Sequence, residues 1–447
     1  MASTLKGKTV AFLVAPEGIE QVELTEPWKA VQEAGGTPRL VSTAPGTVQA
    51  YNHLDKADTF DVDATADATS AADFDALVLP GGVANPDQLR MHDAAVAFAC
   101  AHEADWPRDP HDDLSRWGVH HDDPPPYNRL RGPVHPRGPA SGVVWQHGRE
   151  VVAWGEPDRS DLTFSVAKTY LALLAGVAAA QGLLTDVDQP VCESLSGIGF
   201  DSAHNRRVTW LQLLQQTSEW EGSCFGIPDT VDRNRKVGFD PRPPSGRKGD
   251  ARPLREPGTW WEYNDVRINQ LSLALLHLFE RPLAEVWREQ VMQPIGASGD
   301  WAWRGYDDAW AELPARDGRP ARRVPSVPGG SHWGGGVSIG ARDQARIGQL
   351  LLSGGRIDDV QVIPQRWIER LSQPCPIAPF YGLLTWLNRD GRSFPGASAS
   401  SVCMVGAGGH LTWVEPACDA VVVARWLDPA ATGGFVQRMA EALIAGG

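Results

Sequence analysis

Apolar positions change their rhythm twice along this chain. Over the first hundred residues short apolar runs alternate with longer mixed stretches. "TVAFLVA" (9–15) has the pattern of a buried strand, and "EQVELTEPWKAVQEAGG" (20–36) that of a helix ending in glycine. "PRLVST" (38–43) and "DALVLPGG" (75–82) predict two more strands, the second running into a Gly turn. "NPDQLRMHDAAVAFACAHEA" (85–104) predicts another helix. Strands alternating with helices predict a parallel α/β sheet. From 105 to 140 the period vanishes in a stretch crowded with Pro, Asp, His and Arg, which predicts a linker or extended arm. The remainder, 141–447, predicts one large α+β domain. It has a hairpin over 142–155 with His147-Gly148 at the turn, a second hairpin from 410–416 and 419–426, a closing helix from 433, and helical material between.

One stretch breaks its own pattern. "DLTFSVAKTYLALLAGVAAAQG" (161–182) is rich in the strong helix formers Ala and Leu, with apolar residues on nearly every side, so it predicts a helix buried all round. Lys168 is its one fixed charge, three residues after Ser165. That spacing puts both side chains on one face of the first turn. A buried lysine needs a reason.

Length and charge narrow the setting. At 447 residues the chain predicts two or more domains. A net charge of −14 without a long Lys/Arg run argues against nucleic acid or an anionic membrane as partner. Six cysteines without a CxxC pair predict reduced core thiols. "MASTLKGKTVAFLVAPEG" lacks the pattern of a secretory signal, and no run reaches the length of a membrane span, so a soluble cytoplasmic protein is expected. The "HHDD" at 120–123 is expected to be a solvated polar loop rather than a metal site, since no His pair at helical spacing accompanies it.

"FLVAPEGIEQVELTEPWKAVQEAGG", "YNHLDKADTFDVD" and "DALVLPGGVANPDQLR" resemble the PfpI/DJ-1 family of flavodoxin-like proteins. Glu20 matches the family's helix-region glutamate, and Gly81-Gly82 match its glycine turn. The resemblance ends near Glu103, before the strand and elbow that carry the family's cysteine. Cys100 lies inside a helix pattern, so no thiolate chemistry is expected of this segment. A truncated fragment of three strands has an open edge and must lean on something. Packing on the second domain, mediating a homodimer, and survival as the relic of a gene fusion are all open.

From about residue 112 onward the chain resembles the serine β-lactamases, penicillin-recognising enzymes and related esterases. Within them it is most similar to the class C-like hydrolases that include 6-aminohexanoate-dimer hydrolase. Ser165-Val166-Ala167-Lys168 matches the family's S-x-x-K. "LLQQTSEWEG" (213–222), "WWEYNDVRINQLSLAL" (260–275), "SHWGGGVSIGARDQARIGQLLLSGG" (331–355) and "MVGAGGHLTWVEP" (404–416) follow in the expected order. The resemblance implies an antiparallel sheet flanked by helices, with an all-helical part. It also implies an acyl-enzyme on Ser165, with Lys168 as base or as support for Tyr263. Where the family has Tyr-x-Asn, this chain has Tyr263-Asn264-Asp265, and Asp265 would tend to keep Lys168 protonated and so favour Tyr263 as base. The Lys-Thr-Gly strand is missing. Its place is taken by Gly406-Ala407-Gly408, and Ala407, to within two residues, is expected to share an oxyanion hole with the Ser165 amide. His410 and Trp333 with His332 are candidates for the pocket or for packing alone, and Trp261 for an aromatic wall. "GGSHWGGG" lacks the Lys-Ser/Thr of a phosphate loop.

The leading expectation is a serine hydrolase needing neither metal nor cofactor, acting on a small ester or amide. A β-lactamase or D,D-peptidase is the alternative within enzymes. A non-catalytic ligand-binding or scaffolding protein on the same fold is the alternative outside them, and a DJ-1-like cysteine enzyme or chaperone comes last.

Overall fold

The computed structural model describes residues 4–53, 55–82, 94–316 and 320–445. It divides into two compact units, one formed by the chain up to Ala95 with the stretch from Glu441 onward, the other by Val96–Ala440. No helix among the described residues is long and apolar enough to cross a membrane.

In the first unit Thr9–Val14 pairs in parallel with Thr37–Ser42 on one side and Ala76–Val78 on the other. Ala64–Thr65 adds a fourth strand where three were expected. Two residues carry no period, so the sequence pattern cannot show them. Val10, Phe12, Val14 and Leu40 from the sheet pack with Leu24 and Val31 of the helix Gln21–Glu33. A second sheet joins Glu17–Glu20, Thr47–Asn52 and Asp55–Asp61. The glycine turn is a steric need: Gly82 has φ +131°, and a Cβ there would lie 2.4 Å from the Glu20 nitrogen and the Gly18 oxygen. Of the helix expected at 85–104, Ala94–Ala101 is described and residues 83–93 lie outside the described residues.

The second unit is built on a six-stranded antiparallel sheet in the order Trp386–Leu387, Val402–Gly406, His410–Glu415, Ala420–Arg425, Ser141–Gln146, Arg149–Trp154. Both expected hairpins are present, with His147 and Gly148 at φ +52° and +73° in the first turn. The helix Ala341–Leu352 lays Ala341 and Ala345 on Val143, Val421 and Val423 of the sheet. The helix Ala167–Ala180 is buried from Ala167 through Ala178, as its all-round apolar pattern predicts. Gly176 admits the Trp367 ring, whose Nε1 donates to the Ala172 carbonyl at 2.8 Å.

The stretch 105–140 has little regular structure but is built into this unit. Trp117 is fully buried, and Arg137 donates to Glu103 and to the carbonyls of Ala104 and Trp106. The "HHDD" tetrad is solvated only at His121 and Asp122. His120 and Asp123 are each 4% exposed, and Asp123 is the partner of Trp333, His332 and Lys248, far away in the sequence.

Candidate active site

The turn that carries Ser165 has a strained backbone, held by an aromatic cage. Ser165 sits in the 3₁₀ turn Phe164–Val166 that leads into the helix Ala167–Ala180. Phe164 has φ +52°, a costly conformation for a bulky residue that needs surroundings to impose it. Those surroundings are Trp106 and Trp117 from the arm, with ring centroids at 5.3 and 5.5 Å, together with His410 and Trp426. Gly406 lets the neighbouring strand close on this turn, since a Cβ there would lie 2.2 Å from the Thr163 carbonyl oxygen.

One turn on, Lys168 Nζ donates to Ser165 Oγ at 2.7 Å. The lysine side chain is 1% exposed and forms an ion pair with Asp265 Oδ1. Asp265 opens the helix Asp265–Phe279, whose N-cap, Asn264, accepts from the amides of Val266 and Arg267 and donates to the Asp229 carbonyl. Burial draws the Lys168 ammonium down. The Asp265 carboxylate and the Tyr263 phenol oxygen more than reverse this, against Arg235, so Lys168 stands above its ordinary value. Burial likewise opposes ionisation of Asp265, but Lys168, Arg235 and His332 hold it well below the usual carboxylate range. Lys168 is therefore an ammonium that hydrogen-bonds to the serine.

Tyr263 completes the group. Lys168 Nζ lies 4.7 Å and Arg235 Cζ 5.3 Å from its ring centroid. Trp386 stacks on the ring at 5.7 Å. Ser165, Tyr263, Arg235, Phe239, Trp386, Gly406, Ala407 and His410 all line one cavity of about 290 Å³. Gly330 brings backbone to the floor of the site, where a Cβ would sit 3.0 Å from Lys168 Nζ and 3.4 Å from Ser165 Oγ.

Other candidates take different places. Ala407 and Gly406 line the cavity, but Gly408 turns away, its Cβ direction blocked by Trp426 and Trp106. Trp261 stands behind the wall, edge-on to Tyr381 at 5.2 Å and to Trp386 at 6.1 Å. His410 packs its ring on Trp426 at 4.4 Å with both nitrogens sealed, and burial, with Arg425 and Arg137 nearby, holds it neutral. His332 and Trp333 do not line the cavity. His332 bridges Asp265 and Asp123, and Trp333 Nε1 donates to Asp123 at 2.7 Å. Asp265 likewise acts from behind, through Lys168 and Arg235.

Sequence reasoning missed Arg235, Phe239 and Trp386 at the cavity, and Asp123, Asp232 and Lys248 behind it. Arg235 pairs with Asp232 at 3.1 Å and with Asp265. Asp232 is held at about 2, since Arg235, Lys248 and His332 outweigh its burial. Asp123, Asp232 and His332 offer donor atoms within 4.8 Å of one another, a spacing suited to a cation. The Lys248 ammonium supplies one, paired with both carboxylates.

An antiparallel sheet packed with helices, with a serine and a lysine one turn apart at a cavity, defines a serine-hydrolase fold of the β-lactamase type. The chain belongs to the beta-lactamase family, whose model matches residues 139–426. Residues 8–105 match the DJ-1/PfpI family. Over 298 residues the chain is 26% identical to 6-aminohexanoate-dimer hydrolase of Paenarthrobacter ureafaciens, covering 61% of this chain and 68% of that one. General stress protein 18 of Bacillus subtilis (strain 168) is 40% identical over 100 residues, 22% of this chain and 55% of that protein. The chain thus spans about half the length of the DJ-1/PfpI relatives it matches. A penicillin-binding protein homolog from Caulobacter crescentus superposes with a TM-score of 0.49 at 16% identity, covering 73% of this chain and 95% of that one. Cys100, in the helix Ala94–Ala101, has its thiol pushed up by burial and by Glu103, the opposite of a reactive thiolate.

Proposed function

We propose that this chain is a serine hydrolase that forms an acyl-enzyme on Ser165 and releases the acid of a small ester or amide. The observation that carries this reading is the 2.7 Å contact of Lys168 with Ser165 Oγ at a cavity shared with Tyr263. A charged Lys168 cannot accept the serine proton, so it stabilises the developing alkoxide and leaves the base's role to Tyr263. Ser165 Oγ attacks the carbonyl as its proton passes to the Tyr263 oxygen, while the Tyr263 hydroxyl gives its own proton to the leaving group. Water then attacks the acyl-enzyme by the same route in reverse. Ser165 and Ala407 both line the cavity, which supports the use of their amides as the oxyanion hole.

Substrate class follows from the walls. Phe239, Trp386, Val405 and Leu411 make them apolar, and the one cation besides Lys168, Arg235, is committed to Asp232 and Asp265. No free cation among the described cavity residues awaits the carboxylate of a β-lactam or a peptide terminus, which favours neutral esters and amides over the lactamase or D,D-peptidase alternative. The named relative hydrolyses an aminohexanoate dimer, which supports including a linear amide in the panel. Turnover of p-nitrophenyl butyrate by the wild type and its loss in Ser165→Ala is the expected result, with nitrocefin turned over far more slowly. A folded wild type inert to every ester and amide tried would favour the ligand-binding alternative.

A further inference from the structure

Lys168 is paired with Asp265, and Asp265 is gripped from behind. His332 Nδ1 lies 3.0 Å from Asp265 Oδ2, and His332 Nε2 lies 2.9 Å from Asp123 Oδ2. Asp123 is fixed in turn by Trp333 Nε1 and by Lys248. The row Lys168, Asp265, His332, Asp123 joins four separate segments. Its side chains are between 0 and 4% exposed, and neither His332 nor Asp123 lines the cavity. Burying two carboxylates around an imidazole is an expensive way to pack an interior, where apolar side chains of similar volume would serve as well or better. The expense is explained if the orientation of Asp265 matters.

We propose that His332 and Asp123 are positioning residues of the hydrolase site, which together hold the Asp265 carboxylate against Lys168 so that the lysine stays charged while it donates to Ser165. The inference rests on the acyl-enzyme reading and adds to it that the arm carrying Asp123 is part of the catalytic machinery. Facing His332 are Asp123, Asp265, Asp232, Arg235, Lys248 and His120; facing Lys168 are Asp265, Tyr263 and Arg235. With the grip removed, Asp265 is free to turn wholly toward Arg235. Burial and Arg235 would then both draw the Lys168 ammonium down. The alkaline limb of kcat/KM, which reports loss of the Lys168 proton in the free enzyme, moves to lower pH.

The test is the pH profile of p-nitrophenyl butyrate hydrolysis by the full chain as wild type, Asp123→Asn, His332→Asn and His332→Leu, with Ser165→Ala as control. His332→Asn keeps an amide donor near the Nδ1 position, whereas His332→Leu keeps none. Expected is a fall in kcat of about 10- to 100-fold in Asp123→Asn and His332→Leu, by analogy with removal of a hydrogen-bond partner behind a metal ligand. KM should stay within about twofold and the alkaline limb should move acidward, with His332→Asn lying between wild type and His332→Leu. Should a variant fail to fold, Trp333→Phe, which removes one hydrogen bond to Asp123, must show the same shift in smaller measure. Profiles that superimpose on that of an active wild type overturn the proposal and leave the acyl-enzyme reading standing. A wild type without Ser165-dependent turnover overturns that reading instead.

Discussion

Two buried sets of ion pairs meet at the segment Glu262-Tyr263-Asn264-Asp265. One joins Lys168, Arg235 and Lys248 to Asp123, Asp232 and Asp265. The other joins Arg233, Arg252 and Arg267 to Glu219, Asp229 and Glu262. Each balances three cations against three carboxylates. The second is all arginine and uses forked contacts, with Arg252 reaching both Glu219 oxygens at 2.6 and 2.7 Å and Arg233 both Asp229 oxygens at 2.9 and 3.2 Å. The first has two lysines and one arginine, with His332 between two of its carboxylates, and one of its lysines touches the serine. Forked guanidinium pairs fix a geometry, whereas a lysine is a point charge that can follow a reacting oxygen. The same balance of charge serves structure in one place and is suited to chemistry in the other.

Several substitutions would break or sharpen that contrast. The largest effect falls on Ser165→Ala, which should lower kcat/KM by about 10⁴-fold or more while leaving thermal unfolding unchanged. Tyr263→Phe should lower kcat by about 10²- to 10⁴-fold, with KM little changed in steady-state assays. Arg267→Met should do its damage to folding instead. It leaves the three carboxylates Glu219, Asp229 and Glu262 with only Arg233 and Arg252 and should cost about 3–5 kcal/mol in denaturant unfolding. Lys168→Met is its counterpart: Asp265 keeps Arg235 and His332, so activity should vanish with a smaller loss of stability. Equal stability losses in the two variants would erase the distinction drawn between the networks.

Acid should reach both sets. Glu219 is pressed from 4.5 to about 2, because Arg252, Arg267 and the Arg255 amide outweigh its burial, and Asp232 is likewise held at about 2. A depressed carboxylate contributes stability that is complete above its unfolded value and is lost as pH falls through the folded one. Unfolding midpoints should therefore hold steady down to about pH 4.5 and drop between there and about pH 2. Smallest of all, Cys100→Ser should leave hydrolysis unaltered, since that residue does not line the cavity and its thiol is raised.

What could be read from the sequence was whatever local pattern carries. The buried helix with Ser165 and Lys168 declares itself by one charge in an apolar run, and both hairpins by alternation and turn residues. Tyr263 was legible through resemblance, and Asp265 through its departure from it. Arg235 lies in an aperiodic loop that shows no element between Asp232 and Asp265, so nothing local marks it. Asp123 reads as solvent-facing in sequence because its partners, Lys248, His332 and Trp333, lie more than a hundred residues on. The sequence places Trp333 near the site, but its direction, toward Asp123 rather than the cavity, is set by tertiary packing. Gly408 differs from its neighbour Ala407 by a turn of backbone that no composition reveals.

The central claim is that Ser165 is the acylated nucleophile, and peptide mapping after treatment with a fluorophosphonate addresses it most directly. The account predicts one added group per chain, located on the peptide that contains Ser165, and none in Ser165→Ala. A label on another residue, or an unlabelled wild type that nonetheless turns over p-nitrophenyl butyrate, would contradict it.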